Sequence, residues 1–130
     1  MKCIVKAILD STSKNSVEIN SPKRDEVINL FNKLDGRSFT DLTLGIEEGE
    51  YFMSVGGGGP TGYVCSIQEN DDIFILTNGD FDDGEMIEII AGQKSPHPKY
   101  MVVDYETAFK ALCYYIDNYS YCNDLTWEQV

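Results

Sequence analysis

Hydrophobic and polar positions change period several times along this chain, and each change marks an element. Ile4, Val5, Ala7, Ile8 and Leu9 make an apolar, β-branched run closed by Asp10, which predicts a strand over residues 3–9. Residues 10–20 are polar, with a weak edge strand at 16–19. Ser21 and Pro22 carry a helix-start signal, serine as N-cap and proline at the first helical position. Val27, Leu30, Phe31 and Leu34 then fall on one helical stripe, which Gly36 would terminate.

From Phe39 the period drops to two. Leu42, Leu44 and Ile46 alternate with Asp41, Thr43 and Gly45, the pattern of a half-buried strand. Glu47, Glu48, Gly49 and Glu50 form a turn, and Tyr51 to Val55 is the return strand. Beyond Gly56 to Gly59, Tyr63 to Gln68 reads as a strand, and the Glu69–Asp72 turn leads into Ile73 to Leu76. Thr77 to Gly84 is a long acidic loop. Met86 to Ala91 and Tyr100 to Val103 are the last strands, with Gly92-Gln93 and Pro96-His97-Pro98 as connections. Asp104 offers an N-cap to a second helix whose apolar face holds Ala108, Ala111, Leu112, Tyr115 and Ile116, widened by Tyr105 and Phe109. Residues 118–130 form a short aromatic tail, with Trp127 expected to fold back onto the body. The order β, α, many β, α predicts an α+β fold, an antiparallel meander of about six to seven strands with two helices packed on one face.

The length, 130 residues, fits a single domain over 1–130. It allows burial of roughly two-thirds of the unfolded surface without a disulfide or metal staple. No run has the shape of an export signal or a membrane span, so a cytoplasmic protein is expected. The four cysteines, Cys3, Cys65, Cys113 and Cys122, form no C-x-x-C pair and lie in or beside apolar runs, which predicts buried free thiols. Charge changes the picture more. Twenty-two acids against ten bases give a formal net charge of −12. Such a surface repels phosphates, which excludes direct nucleic acid binding, and it steers a basic protein partner.

The four glycines invite a phosphate loop, but a Walker loop needs Gly-Lys-Ser/Thr and a helix, and here Pro60, Thr61 and a strand follow. They read as a hairpin turn, with more glycine than a turn requires, which implies a bulge or the close approach of another backbone. The acidic loop fails as a calcium site. Counted from Asn78, the sixth and twelfth residues are Asp83 and Ile89, where glycine and glutamate are needed. Counted from Asp80, the fifth and twelfth are Gly84 and Ala91. Paired carboxylates at Glu47/Glu48/Glu50, Asp71/Asp72 and Asp82/Asp83 lie in turns without apolar context to shift them. His97, the single histidine, has no local nucleophile or orienting acid in sequence. No metal, cofactor or catalytic residue is called for.

Several pieces nevertheless have a familiar order. Leu34-Asp35-Gly36-Arg37 leads into Thr40-Asp41-Leu42-Thr43-Leu44, and Val55-Gly56-Gly57-Gly58 precedes Gly62-Tyr63-Val64. Gly92-Gln93 stands ahead of Pro98, Val102-Val103-Asp104 and the Ala108/Ala111 helix, and Trp127-Glu128 follows. Over roughly residues 27 to 128 the chain resembles the Imm-one family of immunity proteins from bacterial polymorphic-toxin systems of the contact-dependent inhibition type. It departs in the glycine run, extended to four with Pro60, and in Ala91-Gly92-Gln93, where a glycine pair is usual. The resemblance implies a cytoplasmic antitoxin, not an enzyme, that occludes a cognate secreted toxin domain, often a nucleic-acid deaminase. On that expectation the partner-binding candidates are Asp80, Phe81, Asp82, Asp83 and Glu85, with Glu47, Glu48 and Glu50 as a second patch. Gly57 and Gly58 join them as the place where a partner backbone would approach. The alternative is a small-ligand-sensing or regulatory α+β module with a pocket lined by Tyr63, Tyr114 or Tyr115.

Overall fold

A computed structural model describes residues 3–12, 15–46, 51–80 and 84–130. Strands β1 (Ile4–Ser11), β2 (Val17–Asn20), β3 (Phe39–Ile46), β4 (Tyr51–Gly57), β5 (Tyr63–Glu69), β6 (Asp72–Thr77) and β9 (Thr126–Gln129) build one antiparallel sheet in the order β2-β1-β3-β4-β5-β6-β9. Helices α1 (Arg24–Asn32) and α2 (Tyr105–Asn118) add to the core that this sheet forms on one of its faces. The chain is α+β. Strands β7 (Met86–Ala91) and β8 (Gln93–Pro98) pair only with each other, as a separate hairpin.

Strand alternation sorts the sheet into two faces. Cross-strand neighbours Ala7, Leu44, Met53 and Ile67 lie in one row, and Leu9, Leu42, Val55 and Cys65 in the next, all buried. Val27, Leu30 and Phe31 of α1 and Ala108, Ala111, Leu112 and Tyr115 of α2 complete that core. Phe31 stacks on Tyr63 at 5.3 Å between centroids and meets Tyr105 at 5.4 Å, joining both helices to β5. The opposite face carries Asp10, Asp41, Thr43, Ser54, Gly56, Val64, Ser66 and Ile75.

Helix α2 begins where its sequence says: the Asp104 carboxylate accepts from the Thr107 N–H at 2.8 Å, an N-cap. Helix α1 begins later than the serine–proline signal implies. The Ser21 N–H donates to the Val5 carbonyl at 2.8 Å and Ser21 takes φ +49°, so that residue turns the chain out of β2. Lys23 takes the N-cap position, and its N–H donates to Glu26 Oε1 at 2.9 Å. Helix α1 also stops at Asn32, short of Gly36.

Three further expectations are corrected. Pro96-His97-Pro98 is not a connection but the end of β8, where each proline lies on a free hairpin edge and needs no ladder donor. Residues 99–101 form a single 3-10 turn, and of the expected strand only Val103 pairs, in a two-bond bridge with Tyr63 at 2.9 Å each way. The tail holds β9, which brings Trp127 opposite Leu76, while the Trp127 Nε1–H donates to the Cys122 carbonyl at 3.0 Å. Cys65 and Cys122 are buried free thiols as expected, but Cys3 is exposed and Cys113 only half-buried. No described helix is long and apolar enough to cross a membrane.

Candidate functional site

The glycine turn determines how the hairpin sits. A Cβ on Gly56 would lie 2.5 Å from the Ala91 Cβ, and one on Gly57, at φ +93°, would lie 2.6 Å from the Gly62 carbonyl oxygen and 3.0 Å from Ile89 Cγ2. One on Gly58, at φ +115°, would meet the Leu34 carbonyl at 2.7 Å. The close approach implied by four glycines is therefore made by the chain's own α1–β3 connection and β7–β8 hairpin. Gly57 and Gly58 are buried against these segments, which leaves no surface there for a partner backbone.

The hairpin crosses the outer sheet face from β6 to β3. At its base the Asn78 N–H donates to the Tyr100 carbonyl at 2.8 Å and the Lys99 N–H to the Glu85 carbonyl at 2.9 Å. At its tip the Gly92 N–H donates to Thr40 Oγ1 at 3.0 Å, and the Thr40 hydroxyl donates to Asp41 Oδ1 at 3.0 Å. Ile87, Ile89 and Ala91 of β7 share a face with His97, Ser95 and Gln93 of β8. That face points at the sheet, since Ala91 and Ile89 pack on Gly56 and Gly57.

Between hairpin and sheet lies a cleft of about 340 Å³. Its floor includes Asp41, Ser54, Val64, Ser66 and Ile75, and its other walls include Ala91, His97 and Met101. Two features give it chemistry. Asp10 and Asp41 are cross-strand neighbours beside one end, and among the described residues neither makes an ion pair. Burial first, and then the hydrogen bond and repulsion from Asp41, raise the Asp10 carboxyl above the ordinary carboxylate range. The second feature is Ser95, whose Oγ lies 3.2 Å from His97 Nε2. His97 thus has a hydroxyl neighbour that the sequence hid, because Ser95-x-His97 becomes a same-face pair only once β8 is a strand. No carboxylate bonds the ring among the described residues, so the orienter of a general base is missing.

Of the acids expected to bind a partner, Asp80 and Glu85 flank the hairpin base, and both are exposed. The Asp80 N–H donates to Asn78 Oδ1 at 2.8 Å, and Glu85 Oε2 lies 3.5 Å from Lys99 Nζ. Phe81, Asp82, Asp83, Glu47, Glu48 and Glu50 lie outside the described residues. The tyrosines proposed as a pocket lining are elsewhere. Tyr63 and Tyr115 are core residues, and Tyr114 faces a shallow hollow beside α2. Among the described residues no group of three or more His, Cys, Asp or Glu side chains is placed to hold a metal ion. Comparisons with protein-family models, characterised proteins and solved structures found no match.

Proposed function

We propose that this chain is an immunity protein, an antitoxin that binds a cognate secreted toxin domain in the bacterial cytoplasm and neutralises it by non-covalent occlusion. The toxin class is one that acts on nucleic acid, such as a deaminase. The observation that carries the proposal is spatial. Several of the segments that bear the family resemblance, spread over residues 34–104, meet at one node. Leu34 and Asp35 pack on Gly58, Gly62 on Val102 and Val103, and Gly56 on the segment that leads into Gly92-Gln93. A chance likeness among turn residues has no reason to converge in space.

Charge supports the same role. A toxin that acts on nucleic acid presents a basic cleft, and a chain of net charge −12 is drawn to it and competes with phosphate there. An interface of the usual size, about 1,600 Å² in total, needs only one face of this domain. The cleft favours the second reading, a small-ligand-sensing module, although its lining is not the aromatic one expected for that role. The deciding experiment is co-expression with the toxin domain encoded in the adjacent reading frame. Protection and a stoichiometric complex on gel filtration are expected, and growth arrest despite soluble protein would overturn the assignment. In the same assay, a variant with Asp80, Asp82 and Asp83 changed to Lys should lose protection. Full protection by it would remove that loop from the contact.

A further inference from the structure

We propose that the cleft beneath the β7–β8 hairpin receives the side chain of one arginine from the partner protein, with its guanidinium on Asp41, the carboxylate that lines the cleft, whose cross-strand neighbour is Asp10. The partner's identity rests on the immunity assignment, whereas the chemistry of the cleft does not.

The occupant follows from the walls. Val64, Ile75, Ala91 and Met101 offer apolar surface suited to a methylene stem, and the volume of about 340 Å³ is at the scale of a small-ligand site. The polar end is short of a cation. Asp41 lines the cleft, and Asp10 faces it across β1 and β3, where the two share a hydrogen bond and repel when both are charged; no lysine or arginine pairs with either among the described residues. A guanidinium in the cleft would give Asp41 a charge-assisted contact and offset the repulsion from Asp10 beside it. Arginine suits the place better than lysine because its planar fork spans two acceptors, while an ammonium is a compact and strongly hydrated point charge. The Thr40 hydroxyl, bonded to Asp41 Oδ1 and to the Gly92 N–H, fixes the receiving carboxylate before the cation arrives. The elevated Asp10 carboxyl agrees with a site that lacks its counter-charge.

The test uses the whole protein and a defined probe. Nα-acetylarginine methylamide is titrated while the methyl resonances of Val64, Ile75 and Met101 are followed, with the neutral citrulline analogue and the lysine analogue as controls. Saturable shifts confined to the cleft are expected with the arginine probe alone. Asp41→Asn should weaken binding about tenfold, the usual scale for a hydrogen bond to a charged group. Ser66→Leu, which fills the floor, should abolish binding while distant core resonances stay in place. Equal shifts with citrulline, unchanged affinity in Asp41→Asn, or no saturable shift would each overturn the proposal. Equal binding of the lysine analogue would overturn the choice of arginine. If the wild type protects cells but the probe does not bind, the cleft proposal fails alone. If the probe binds but the wild type gives no protection, the immunity assignment fails instead.

Discussion

Replacing Gly58 with alanine tests whether the glycine run serves the fold or a partner. Gly58 has φ +115° and ψ 176°, a region that residues with a Cβ essentially never occupy. Holding alanine there costs about 1–3 kcal/mol in backbone strain. The new Cβ would lie 2.7 Å from the Leu34 carbonyl carbon and oxygen and 3.0 Å from the Asp35 nitrogen, all backbone atoms that cannot rotate away. Displacing them adds a penalty of the size seen for overpacking, about 1–3 kcal/mol. The sum centres near 4 kcal/mol, a large share of the stability of a domain this size. Thermal denaturation should show a fall of roughly 10–20 °C. Two controls separate the causes. Gly79 has φ +84° with nothing within 4 Å of a Cβ, so Gly79→Ala reports strain alone. Gly84 has no positive φ and, among the described residues, nothing within 4 Å of a Cβ, so Gly84→Ala should be silent. If Gly58→Ala melted with Gly79→Ala yet lost toxin binding, close packing of Gly58 on Leu34 would be refuted, and the glycines would belong to an external contact.

Three other substitutions probe separate links. Asp104→Ala removes the α2 N-cap and should cost about 1 kcal/mol in urea denaturation at neutral pH. The hydrogen bonds from Thr107 hold the Asp104 carboxyl below its usual range. Its contribution is therefore present above the unfolded value and lost as pH falls through the folded one, so the penalty should vanish in strong acid. Asp10→Asn should raise stability at neutral pH by roughly 0.2–1 kcal/mol, since it removes a like-charge cross-strand pair. Here the sign is opposite: the folded carboxyl is raised, so its favourable contribution exists below the unfolded value and is lost as pH rises through the folded one, and the gain should disappear in acid. Tyr115→Phe should be neutral or stabilising by calorimetry, because the buried Tyr115 hydroxyl finds no hydrogen-bond partner among the described residues. A loss above about 1 kcal/mol would mean that the hydroxyl is satisfied.

What was legible in the sequence is what local pattern enforces. The alternation through Leu42, Leu44 and Ile46, the helical stripe of α2 and its Asp104 cap all depend on neighbours within a few residues, and all stand in the structure. What was not legible depends on distant segments. Thr126 to Gln129 is too short to display a period and is a strand only because β6 leaves an edge to pair with. Pro96 and Pro98 argue against a strand until β8 is known to have a free edge. Ser21 and Pro22 satisfied the rule for a helix start, but Val5 of β1 claims the Ser21 N–H and the helix waits until Arg24. The cleft was invisible for the same reason. Asp10, Asp41 and His97 lie on three strands, and neither the Asp10–Asp41 pair nor the Ser95–His97 pair exists until the sheet register and the hairpin set it.

On the proposed function, the residues that carry the resemblance and those that would choose the partner are largely different sets. Gly56, Gly57, Gly58, Leu34, Val102 and Val103 are buried, with Gly58 against Leu34, Gly57 against Gly62 and Gly62 against Val102 and Val103, so a change at any of them disturbs the fold. His97, Asp80 and Glu85 lie in the cleft or on the hairpin rim, where side chains can vary without moving backbone, while Asp41 belongs to both sets. The two sets are nevertheless coupled mechanically. The hairpin can lie against the sheet only because Gly56 has no side chain under Ala91, and the Gly92–Thr40–Asp41 hydrogen bonds anchor its tip. An arginine entering the cleft would therefore meet walls already in position, and little binding energy would be lost to ordering them. On this view the four glycines bind nothing themselves. Gly56 and Gly57 let the hairpin lie close enough to the sheet to make a cleft, and Gly58 and Gly59 pack on the α1–β3 connection.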